Sequence, residues 1–137
     1  MVRKLTIDSS VIISSLLESE PMHKEASAVM EEVLNGKAFA IMPYTILVEV
    51  VSAVRRRTGI EQLAMQVKDE LTSIENLSFV MLDDKSAIEA ADIAARSGLR
   101  GMDAVVVQVA KEFDSRLITF DEDMKKKARK ILKSGKA

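Results

Sequence analysis

The sequence predicts an α/β fold, a three-layer α/β/α sandwich with a mostly parallel central sheet. Two observations carry that expectation. Short strand-like runs alternate with amphipathic helical runs along the whole chain, and parallel strands need crossover connections, which are usually helical. The length, 137 residues with 47% hydrophobic and 30% charged, suits one domain over 1–137 and leaves little room for a second.

Residues 4–8, KLTID, read as a strand that stops at an acid, with a helix from 9 or 10 to about 18 and serines where N-caps belong. Pro21 opens a second helix, in which Ala26, Val29, Met30, Val33 and Leu34 recur at helical spacing until Asn35-Gly36. KAFAIM (37–42) is the second strand, and Pro43 suits the first turn of a third helix running to 57. Beyond Gly59, the stripe Ile60, Leu63, Ala64, Val67, Leu71 and Ile74 marks a fourth helix. LSFVML (77–82) is strand three, and Asp83-Asp84 cap a helix ending at Gly98. Val105 to Val107 raise a strand reading for 102–113, but Ala104, Ala110, Lys111 and Glu112 favour a buried helix. RLITF (116–120) is strand four, followed by a basic helix over 121–132.

No apolar run reaches the roughly 18 to 20 residues that cross a bilayer, and Arg3 and Lys4 are followed by a short strand-like segment instead of a signal peptide's apolar core. A cytoplasmic protein without a membrane partner is expected. The chain has no cysteine, which excludes disulfides and thiolate metal sites, and its single histidine, His23, excludes multi-histidine zinc sites. Hydrolytic chemistry would have to run on carboxylates, hydroxyls, Lys or Arg.

The net charge of −1 hides an asymmetry. Residues 125–137 hold 7 of the 20 basic residues and no acid, which leaves 13 basic against 21 acidic in the first 124. An acidic body with a basic end suits a site for cations beside a surface for an anion, although a solvated helix end rich in Lys would give the same pattern.

In open parallel sheets, ligands bind at the carboxyl ends of the strands, so the terminating residues are the ones to inspect. Asp8 ends strand one; Asp121 follows strand four, with Asp123 two residues on; Asp103 opens a helix behind Gly101. Glu49 interrupts the apolar stretch ILVEVVSAV, where an acid is not buried without a partner. Taken singly, Asp103 and Asp121 could be N-caps, Asp8 a turn residue, and Glu49 a helix-edge partner of an Arg. Taken together, with no bases beside Asp8 or Glu49, they are a set whose repulsion a hard divalent cation would relieve.

Four stretches, TIDSSVII (6–13), PYTILVEVVSAV with Pro43 and Glu49, LRGMDAVVVQVA (99–110) and LITFDEDM (117–124), resemble in order and spacing the motifs of PIN-domain nucleases. Within that family the likeness is to the small toxin ribonucleases of VapBC toxin–antitoxin systems, and it covers nearly the whole chain. The resemblance implies a PIN-like fold and a Mg²⁺- or Mn²⁺-dependent endoribonuclease. Asp8, Glu49, Asp103 and Asp121 would be its catalytic, metal-holding quartet, with Asp123 as a fifth acid. Ser9 and Thr119 match hydroxyl positions that orient a carboxylate or water, and Ser10 fits the position two residues past the first acid. The expected partners are an RNA substrate, an antitoxin protein and, as a homodimer, a second copy of the chain. One or two ions would activate water and stabilise the leaving oxygen.

Candidate phosphate contacts are Arg100 first, then Arg96, Arg55 in the run 55–57, and Lys125. The few aromatics, Tyr44 and Phe120 among them, give little support to reading by base stacking. The rival from another class is a non-catalytic PIN-like module that binds RNA or protein. A phospho-acceptor receiver domain or a DxD-type phosphatase is disfavoured by Ser9-Ser10, which stand where a second acid would be needed.

Overall fold

The computed structural model describes residues 2–132. Four strands, β1 (Arg3–Ile7), β2 (Ala38–Pro43), β3 (Leu77–Val80) and β4 (Arg116–Ile118), form one sheet in the order β3-β2-β1-β4. Every neighbouring pair is parallel. The helices are α1 (Ser9–Leu16), α2 (His23–Leu34), α3 (Tyr44–Thr58), α4 (Glu61–Ser73), α5 (Asp84–Ser97), α6 (Gly101–Glu112) and α7 (Glu122–Ala128). On one face α6 lies across β1, β2 and β4 with α5 packed on it; on the other, α1 to α4 pack together, and α2, α3 and α4 reach β2 or β3. The expected three-layer α/β/α sandwich is what forms. None of the described helices is long and apolar enough to cross a membrane.

The core is built by the strands and the inward stripes of the helices. Leu5, Ile7, Met42, Ile46 and Val106 are almost wholly buried, and at about 25 cal/mol per Å² such burial is the main term holding the layers together. The valines of α6 have a simple reason for their strand-like composition. Every residue from Ala104 to Ala110 is buried, so this helix is covered on all sides and needs no polar stripe.

Three local expectations change. Pro43 is the last residue of β2 and the N-cap of α3, not a first-turn residue, because its extended ψ of 152° keeps it in the ladder. Asp8, not a serine, is the N-cap of α1, although its side chain makes no capping bond and is turned to other partners. The basic helix closes at Ala128, and the chain goes on in hydrogen-bonded turns to Leu132, which is buried against the core. Lys133 and Lys136 lie outside the described residues.

Candidate active site

Because all four strands run the same way, their carboxyl ends share one edge. Asp8 leaves β1 there and is only 6% exposed. Its Oδ2 accepts hydrogen bonds from Ser10 Oγ at 3.0 Å and from Thr119 Oγ1 at 3.0 Å. Thr119 comes from the end of β4, so this bond joins two neighbouring strand ends. The Thr119 hydroxyl also accepts the Asp121 backbone N–H at 3.1 Å, which fixes the path of the next acid. Asp121 in turn accepts the Met124 N–H at 3.1 Å and caps α7. The cap reading of Asp121 therefore holds for one of its oxygens, while its charge acts elsewhere.

Glu49 projects from α3 and Asp103 from the first turn of α6. Ile46, Val50, Ala53 and Val54 bury the core face of α3, which leaves Glu49 on its flank. The Glu49 carboxyl is pushed above its ordinary range by burial, then by the charges of Asp8 and Asp103, against a lowering hydrogen bond with Ser9. The Asp103 carboxyl is likewise pushed up by burial, then by Asp8 and Asp121, with Arg100 opposing and Asp123 adding. Acids from Asp8 near one end to Asp123 near the other thus lie in one field. Asp83 makes the contrast: an exposed N-cap bonded to the Ser86 N–H, its carboxyl is held below its ordinary range.

Among the described residues, no three carboxylates already stand at metal-ligand spacing. Asp8 is held by the hydroxyls of Ser10 and Thr119, and Glu49 by that of Ser9. The donors themselves fit a hard divalent cation: all are carboxylate or hydroxyl oxygens, and Asp8, Glu49 and Asp103 are partly desolvated and repel one another.

The basic candidates divide. Arg100 is the N-cap residue of α6 and acts directly on Asp103. Arg96 lines a polar hollow of α5 and α6 with Glu89 and Asp92, and Arg55 borders an apolar groove of α3 and α4 with Val51 and Met65. Lys125 faces Glu122 at 3.7 Å, and Lys127 pairs with Asp123 at 3.0 Å. Arg57 is taken up by Glu20 at 2.6 Å. His23 is a structural residue, its Nδ1 2.8 Å from the Ser14 carbonyl. Thr45 stands one helical turn before Glu49, and its buried Oγ1 has no hydrogen-bond partner among the described residues.

The family model described as PIN domain matches residues 5–130. No curated protein matches the sequence. Among solved structures, the chain is similar to the crystal structure of Mycobacterium tuberculosis VapC20, described as a Sarcin-Ricin loop cleaving toxin. The TM-score is 0.75 at 15% identity, over 88% of this chain and 92% of that one.

Proposed function

This chain belongs to the PIN domain family, and from that premise we propose that it is a divalent-metal-dependent endoribonuclease and the toxin of a toxin–antitoxin pair. One observation carries the reading: Glu49 and Asp103, on different helices, are both pushed up by the charge of Asp8 in addition to burial. Asp8, Glu49, Asp103 and Asp121 would hold the ion, with Asp123 as a fifth carboxylate. When bound, Mg²⁺ or Mn²⁺ supplies charge neutralisation at the phosphate and acidifies an attacking water.

The chain's own residues orient and exclude. Ser10 and Thr119 hold the Asp8 carboxylate in one rotamer, and the Ser9 hydroxyl restrains Glu49. Arg100 stands three residues before Asp103 and offers a cation to the backbone of an incoming RNA, which an acidic floor alone would repel. The antitoxin would lay an amphipathic segment into the groove of about 710 Å³ where Ile12, Leu16, Met30, Leu34, Leu71 and Ile74 are gathered. A homodimer and a cytoplasmic setting belong to the same reading.

The test is cleavage of single-stranded RNA by the purified chain with Mn²⁺, with EDTA, and as Asp103→Asn. Cleavage that needs the ion and falls at least a hundredfold in the variant supports the ribonuclease. Specific RNA binding without any metal-dependent cleavage would favour the non-catalytic module.

A further inference from the structure

We propose that Tyr44 is a nucleobase platform of this site, stacking one base of a single-stranded RNA beside the phosphate presented to the acids. The proposal deepens the ribonuclease reading and rests on it. Tyr44 is the first residue of α3 and follows β2 directly. Arg3 pairs with Ala38 and Leu5 with Ala40, and the Thr6 hydroxyl donates to the Ile41 carbonyl at 2.9 Å. Continuing that register sets Asp8 beside Pro43. One strand spacing, about 5 Å, and one residue, about 3.3 Å, then separate the backbones of Asp8 and Tyr44.

The ring is held ready. It stacks on Phe79 with centroids 5.5 Å apart and an interplanar angle of 26°, while 48% of the residue stays exposed. Phe79 packs against the core, so one face of the tyrosine is backed by a fixed wall and the other is open. An ordered ring costs little further entropy when a base lands on it. Nor is it an isolated exposed side chain, which would need no explanation. Val48, one turn later, is 68% exposed, and Met81, which follows the Pro43–Val80 pair, is 76% exposed.

A base is the occupant that this combination fits. By the β1–β2 register the Asp8 backbone lies close to that of Tyr44, and Asp8 and Arg100 both act on Asp103; a nucleotide brings both a flat π-face and a phosphate to such a place. Stacking accepts every base, so the platform supplies affinity and register with little sequence preference.

The chain has one tyrosine and no tryptophan, so tyrosine emission reports Tyr44 alone. The full chain, with Ca²⁺ replacing Mg²⁺ to slow cleavage, is titrated with a single-stranded hexaribonucleotide and with an abasic hexamer of equal charge. Quenching by the first and not the second is expected. In Mn²⁺, Tyr44→Phe should cleave like wild type, whereas Tyr44→Leu, with its fold checked by melting, should raise KM about tenfold with kcat little changed, the size of one base–aromatic stack. RNA cleavage by wild type with equal emission for both hexamers, or an unchanged KM in Tyr44→Leu, would overturn the platform and leave the ribonuclease standing. Emission that changes with protein concentration alone would assign the face to a second copy of the chain and also overturn it. A wild type that neither binds nor cleaves RNA overturns both readings.

Discussion

Burial and neighbouring acids push the Asp103 and Glu49 carboxyls above their ordinary range, and that shift has a sign. A carboxyl whose folded pKa is raised gives stability that is fully present below the unfolded value and is lost as pH rises through the folded one. In metal-free protein, Asp103→Asn should therefore gain stability over wild type as pH climbs above the ordinary carboxylate range, read as the difference between urea midpoints in EDTA. A difference that stays flat with pH would deny the shared field. Arg100→Ala should weaken RNA binding and lower the slope of log K against log salt by about one, the loss of one phosphate contact. At this scale the positions of the four acids were legible because each sits at an element boundary or breaks an apolar run; their role remains a proposal. The Thr119 to Asp8 bond was not legible from spacing alone, since 111 residues of chain separate its ends; only the parallel register of β1 and β4 brings them together. Arg55 and Arg96 were less legible still, because a helix surface offers a cation several neighbours and only packing decides which one it meets.

Helix order and strand order were largely readable, since hydrophobic period and Gly or Asn punctuation are local signals. Ends were less so: Pro43 could stand in a strand or in a first turn until the ladder claimed it, and α7 closes at Ala128, past which the chain runs on in hydrogen-bonded turns to the buried Leu132. Gly98 closes α5 in the left-handed region, with φ at 76°, and its N–H bonds the Ala94 carbonyl at 2.9 Å. It also aims the short link that carries Arg100 and Asp103 into α6. Nothing crowds a Cβ there, so the cost of Gly98→Ala is backbone strain alone. That substitution should lower stability by about 1 kcal/mol, measurable by chemical denaturation.

The molecule as a whole has acids from β1, α3, α6 and the end of β4 drawn to one edge of a parallel sheet, whose repulsion is a standing cost in the metal-free state. A cation that binds only the folded chain repays it by mass action, about 2.7 kcal/mol at a hundredfold excess over Kd and roughly 8 °C for a domain of this length. The direct measurement is thermal melting of wild type and Asp103→Asn in EDTA and across a Mn²⁺ titration. The expected result is a wild-type Tm that climbs with Mn²⁺, and a variant that starts at or above wild type in EDTA and gains much less. A wild type that does not respond to Mn²⁺, together with a variant strongly destabilised in EDTA, would make these acids structural partners and contradict the cation site.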